Sequence, residues 1–152
     1  MDQALLPPPD ADQALRAQLI WCEGLTRVPY RDTAGFLTVG VGWNLSANGL
    51  PDWAIDGLYD QAVAAARSSL DRVTPWWKGL DPVRGRAMVN LMYNMGATKL
   101  LAFRDFLAAM QVGAWDKAAN ALEASAWWGE VGKRGPMVRQ MIVSGVDPGL
   151  GA

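Results

Sequence analysis

Residues 23–44 read EGLTRVPYRDTAGFLTVGVGWN. The stretch opens on a carboxylate, Glu23, at the end of a helical pattern. A second carboxylate, Asp32, follows nine residues later. A lone hydroxyl, Thr38, comes six residues after that in a β-like run. DTAG (Asp32 to Gly35) has Asp first and Gly fourth, the preference of a type I turn. FLTVGV then alternates, with Leu37, Val39 and Val41 on one face and Phe36 and Thr38 on the other. Gly40 and Gly42 weaken that strand and permit close backbone approach.

Outward from this stretch, every other pattern is helical. Asp10 caps a helix running to Cys22 or Glu23, with Gly24 as its stop. Leu15, Leu19 and Cys22 recur on one face of it, which predicts Cys22 as a small buried hydrophobe. After Pro51 the pattern predicts helices over about 51–58, 59–73, 103–112, 114–124 and 136–144. Within LDPVRGRAMVNLMYNMG (Leu80 to Gly96), Asp81 is the N-cap, Pro82 the first helical residue and Gly96 the stop. Val83, Ala87, Met88, Leu91, Met92 and Met95 give this helix a broad apolar face, as expected of a central buried helix. The fold class is therefore α+β: a small β-containing lobe followed by a helical one. Residues 1–10, with three consecutive prolines, read as a flexible N-terminal arm, and 11–152 as a single domain.

Composition narrows the chemistry. The chain has 152 residues, 51% of them apolar, enough for a sizeable core. It contains no histidine, which excludes Ser-His-Asp and Cys-His catalysis and His-ligated zinc. A single cysteine cannot form an intrachain disulfide. A net charge of -1 is no footprint for nucleic acid. No run approaches the roughly 20 apolar residues of a membrane span. MDQALLPPPDADQ lacks the basic region and apolar run of an export signal, which predicts accumulation in the cytosol.

Two carboxylates cleave a glycosidic bond when one stays protonated and the other ionised. Glu23 suits the acid. A helix C-terminus carries partial negative charge and disfavours a second one, and burial beside Trp21 or Cys22 would add to that. Asp32 suits the base, because free amides in a turn hold a carboxylate ionised. Thr38, one strand away, can hold a water beside Asp32. Taken singly, each of these residues is commonplace in a structural role.

The combination is not. EGLTRVPYRDTAGFLTVGVGWNL resembles the catalytic signature of phage-type lysozymes (endolysins, muramidases) of glycoside hydrolase family 24, the family of the T-even phage lysozymes. The pattern is Glu23-Gly24, then Tyr30 and Asp32, then Gly35, Thr38, Gly40 and Gly42. The resemblance continues through Leu80 to Gly96, WDKAANAL (Trp115 to Leu122) and SAWWGEVGKR (Ser125 to Arg134). It implies a two-lobed lysozyme fold: a small lobe over about 24–58, a connecting helix over about 59–73, and a helical lobe over about 74–146 that includes the N-terminal helix.

It also implies hydrolysis of the β-1,4 bond between N-acetylmuramic acid and N-acetylglucosamine, with inversion and without cofactor or metal. Glu23 would be the acid, Asp32 the base and Thr38 the water holder. Tyr93, Asn94 and Asn44 would contact substrate, and Arg134 would pair with the catalytic glutamate. The partner would be bacterial peptidoglycan, met by a monomer that inserts in no membrane. A holin would release it from the host cytoplasm to the wall in the periplasm. Two rivals stand beside this reading: a non-hydrolytic wall-binding or virion-structural module, and a lytic transglycosylase, which needs the acid but no base-held water.

The chain departs from the best-known members at Trp43, where they carry histidine. Packing in the core is the expectation for Trp43, a sugar-stacking face the alternative. The eight tryptophans as a group are expected mostly in the core.

Overall fold

The structure, a computed structural model, describes residues 9–149. The predicted arm falls almost wholly outside that range; Pro9 already begins the first helix. In chain order the elements are α1 (Pro9–Glu23), β1 (Thr26–Arg31), β2 (Leu37–Gly40), β3 (Trp43–Asn44), α2 (Leu45–Asn48) and α3 (Asp52–Val73). A 3₁₀ turn (Pro75–Gly79) leads to α4 (Pro82–Ala102), α5 (Arg104–Gln111), α6 (Trp115–Glu123), α7 (Ala126–Glu130) and α8 (Arg134–Ser144). The α+β class holds. The chain divides into two compact units, with the boundary between Asp56 and Gly57.

The first unit contains a three-stranded antiparallel sheet in the order β1-β2-β3. Tyr30 pairs with Thr38, and Thr38 with Asn44, so these three lie in one row across the sheet. Arg31 opposite Leu37 and Val39 opposite Trp43 occupy the other face. A register shift between Thr26 and Tyr30 marks a bulge in β1. The alternation read in the sequence is present, but the buried member is the hydroxyl: Thr38 is 4% exposed, while Leu37 and Phe36 are exposed. β1 and the short β3 and α2 escaped the sequence reading. β3 and α2 are too brief for periodicity, and Pro29 inside β1 argues against a strand.

Three expectations need correction. Cys22 is exposed rather than buried, as are Leu15 and Leu19 of the same stripe. No element of the unit packs broadly against α1, so its apolar residues find no cover there. Trp43 is 43% exposed; it sits on a two-residue edge strand and donates its indole N–H to Gly49 O at 2.7 Å. Helices over 51–58 and 59–73 are one helix, α3. Nothing between Leu58 and Tyr59 caps or breaks it, and the interior Gly57 costs only about 1 kcal/mol relative to alanine.

The second unit is helices around one core. Ala87, Met88, Leu91 and Met92 of α4 are buried, and Val83 and Met95 are half-buried against them. The predicted apolar face is therefore the one that packs. Phe106 and Met110 of α5, Leu122 of α6, and Val138 and Ile142 of α8 complete the core. Each fully buried large side chain stabilises by roughly 1.5–3 kcal/mol. Asp81 caps α4 by accepting the amides of Val83 and Arg84 at 3.0 Å each. Gly96 breaks the helical path as expected, at φ 73° and ψ 170°, values that glycine tolerates best. The helix then resumes to Ala102, which the sequence did not suggest. Five tryptophans, Trp76, Trp77, Trp115, Trp127 and Trp128, pack in or on the core; Trp21 and Trp53 are exposed, along with Trp43.

One side chain ties three helix ends together. Arg84 donates from Nε to Ile142 O at 2.7 Å and from Nη2 to Val143 O at 3.0 Å. These are the last carbonyls of α8, which lack partners within the helix. Its Nη1 meets Asp81 Oδ2 at 2.8 Å, and its guanidinium lies 4.1 Å from the ring centre of Trp115 at the start of α6. Any side chain at Gly145 would collide with it.

Candidate active site

The candidate residues of the first unit are set by two turns. Asp32 follows β1 directly and opens the hairpin turn. Gly35 N–H closes the turn on Asp32 O at 2.9 Å, and Asp32 N–H donates to Phe36 O at 3.0 Å. The carboxylate is shared between two tasks. Its Oδ1 accepts the amides of Ala34 and Phe36, both at 2.9 Å. That fixes the rotamer and leaves Oδ2 turned toward Thr38. Arg31 Nη1 donates to Gly35 O at 2.8 Å and braces the same turn.

The Thr38 hydroxyl lies 3.4 Å from Asp32 Oδ2 and 3.3 Å from Phe36 O. It has one proton for two acceptors, and both distances are long for an O–H···O bond, whose usual value is about 2.7–2.8 Å. The hydroxyl is held in place by burial rather than by a strong bond, and is free to turn toward a third partner. Thr38 is thus a polar side chain, nearly wholly buried, aimed at a half-exposed carboxylate.

Glu23 is the last residue of α1, where Gly24 N–H donates to Ile20 O at 2.8 Å. It is exposed, as are Trp21 and Cys22, so the burial that the sequence suggested is absent. The Glu23 carboxylate lies against the backbone of Gly42. A methyl group on Gly42 would stand 3.1 Å from Oε2 and 3.4 Å from Cδ. Gly42 also has φ 69°. The positive φ is what favours glycine there, whereas the sequence signalled only close approach. Asn44 pairs with Thr38 across the sheet, but its Oδ1 accepts Ala47 N–H at 2.9 Å and caps α2. The structure gives Asn44 a capping task that the sequence did not reveal. Ser46, also missed, accepts Leu37 N–H on Oγ at 2.9 Å and anchors the start of β2.

In the second unit, Tyr93 and Arg134 line one groove of about 530 Å³, together with Asn90, Arg67, Val89 and Met137. Tyr93 is 51% exposed, so it is not the core residue that a tyrosine in a buried helix could have been. Asn90 Oδ1 is buried in that groove without a hydrogen-bond partner among the described residues. Asn94 is exposed and accepts the indole N–H of Trp127 on Oδ1 at 2.7 Å. No periodicity or motif pointed to the Asn94–Trp127 pair; the two residues are 33 positions apart.

Taken together, the first unit can present one carboxylate held by amides, one exposed carboxylate at a helix C-terminus, and one buried hydroxyl beside the former. The phage lysozyme family model matches residues 21–140, a span containing every candidate residue above. The pre-baseplate central spike protein Gp5 of Enterobacteria phage T4 is 26% identical over 151 residues, covering 81% of this chain but only 26% of the spike protein. The chain therefore spans about a quarter of that relative. Probable T4-type lysozyme 1 of Dictyostelium discoideum is 22% identical, with 87% of this chain and 95% of that protein covered.

Proposed function

This chain belongs to the phage lysozyme family, a family of peptidoglycan hydrolases, and on that premise we propose that it hydrolyses the β-1,4 bond between N-acetylmuramic acid and N-acetylglucosamine with inversion. Glu23 donates a proton to the leaving oxygen. Asp32 takes a proton from a water, which attacks the sugar from the opposite face. Thr38 orients that water. Tyr93 and Asn94 bind the glycan.

The observation that carries the reading is the divided Asp32 carboxylate. Oδ1 is saturated by two backbone amides, while Oδ2 faces only a weakly bonded hydroxyl. A carboxylate held this way keeps one oxygen for a water, and the loosely engaged Thr38 can hold that water with its lone pairs. A nucleophilic Asp32 would instead need its free oxygen at the sugar carbon, with no place kept for water. Inversion asks for carboxyl groups roughly 6.5–9.5 Å apart, retention for about 5–5.5 Å.

Product analysis on purified peptidoglycan tests the proposal. Mass spectrometry should find hydrolytic reducing ends at muramic acid; anhydro ends, lighter by one water, would instead identify a transglycosylase. Proton NMR should detect the α-anomer first. A β-anomer formed first would make Asp32 a nucleophile and remove the water-holding role from Thr38. Unaltered peptidoglycan would leave a wall-binding or structural module.

A further inference from the structure

We infer that Arg31 is a positioning residue for Asp32, acting on the base through a single peptide group rather than by touching it. The inference rests on the reading of Asp32 as the base and adds a residue to it.

The Gly35–Phe36 peptide is engaged at both ends. Its carbonyl, Gly35 O, accepts from Arg31 Nη1 at 2.8 Å. Its N–H, that of Phe36, donates to Asp32 Oδ1 at 2.9 Å. The peptide is trans, so the two ends point in opposite directions. A guanidinium therefore stands on one side of the peptide and a carboxylate on the other. A cation at the carbonyl draws electron density toward that oxygen and makes the N–H a better donor. Hydrogen bonds in such a chain strengthen one another by roughly 10–30% each. Both outer partners are ionised, and bonds to ionised groups are the stronger kind.

The arrangement spares the base. Arg31 and Asp32 are adjacent in sequence, yet they form none of the ion pairs among the described residues. A direct pair would compete for the carboxylate oxygens, Oδ2 included. Acting through Gly35 and Phe36, the cation reaches Oδ1 alone, and Oδ2 keeps its direction toward Thr38. Arg31 pairs with Leu37, whereas Tyr30 pairs with Thr38, so Arg31 lies on the sheet face opposite the hydroxyl.

Ala34 provides an internal control. Its N–H donates to the same Oδ1 at 2.9 Å. That N–H belongs to the Thr33–Ala34 peptide, whose carbonyl Arg31 does not touch.

Steady-state kinetics on soluble glycan strands, with amide proton shifts read by NMR, test this. Arg31→Met should lower kcat about 2–10-fold with KM little changed, the effect of one weakened hydrogen bond. The Phe36 amide proton should move upfield. The Ala34 amide proton should stay or move downfield, as Oδ1 leans toward the donor that remains. Arg31→Lys should recover most of the lost kcat, because a single bond is made here and not a bidentate fork. Arg27→Met removes a cation from the same strand and should leave kcat unchanged.

An unchanged kcat in Arg31→Met would overturn the inference. So would Phe36 and Ala34 moving upfield together, since that marks a loosened turn and not a bond carried by one peptide. Equal losses in Arg27→Met and Arg31→Met would reduce the effect to general attraction of the substrate. A lysine no better than methionine would show that the charge plays no part, which overturns the inference as well. Asp32→Asn as active as wild type would instead remove the base, and Arg31 with it. With Asp32→Asn inactive and Arg31→Met unimpaired, the muramidase reading stands and only Arg31 falls.

Discussion

The two units are held by different physics. Every fully buried apolar side chain among the described residues lies in the second unit, from Ala66 to Ile142. In the first, the one buried side chain is polar, Thr38, and the order comes from hydrogen-bonded turns: Asp32 on two amides, Ser46 on Leu37, Asn44 on Ala47. A core tolerates approximate shapes, because burial is non-directional. A turn made of specific donors and acceptors does not, and so it can place a carboxylate and a hydroxyl with defined directions. The chemistry is proposed where directional bonds set the geometry, and the bulk stability where the apolar area lies.

This contrast can be broken in order of size. Glu23→Gln and Asp32→Asn should each lower turnover on purified peptidoglycan by about 10²–10⁴-fold while leaving the melting temperature unchanged. Asparagine at 32 keeps an oxygen for Ala34 and Phe36, so the turn survives and only the base is lost. Activity above about a tenth of wild type in Glu23→Gln would remove it from the acid role.

Next in size is the core. Phe106→Ala should cost about 3–5 kcal/mol in urea denaturation, whereas Leu37→Ala, at a position already 37% exposed, should cost less than about 1 kcal/mol. Equal costs would end the distinction between the units. Arg84→Met should cost about 3 kcal/mol, since it strips Asp81 of its ion pair and α8 of its terminal partners.

The smallest effect is one of pH. Burial pushes the Asp81 carboxyl up, but the Arg84 side chain and the amides of Arg84 and Val83 together outweigh it and hold the group below 3.8. A carboxyl depressed in the folded state adds stability at pH above its unfolded value, and that stability is lost as pH falls through the folded value. The melting temperature should therefore drop as pH falls below about 4, and Asp81→Asn should flatten part of that drop. Asp71, lowered by hydrogen bonds from Trp77 and Lys78, contributes in the same direction. A slope identical in Asp81→Asn would mean that the cap does not titrate with unfolding.

Local chemistry was legible where it was strong. The Asp81 cap, Pro82, the break at Gly96 and the DTAG turn were all readable, because each is decided within a few residues. The pairing of Asp32 with Thr38 was readable too, since the turn between them fixes the register. What was not legible depends on distant partners or on packing. Cys22 and Trp43 look like core residues by type, yet no strand or helix of their unit covers them. α3 could not be distinguished from two helices, because nothing at Leu58 or Tyr59 marks continuation. The Asn94–Trp127 bond and the capping task of Asn44 are side-chain geometry that no periodicity encodes.

Arg84 has a kinetic corollary. Helix ends ordinarily fray one at a time, each with its own opening free energy. Here the last turn of α8, the first turn of α4 and the first residue of α6 share one guanidinium. None of them can open without releasing it from the others. Amide hydrogens in these three places, far apart in sequence, should therefore exchange with solvent at one common opening rate, as a single cooperative unit.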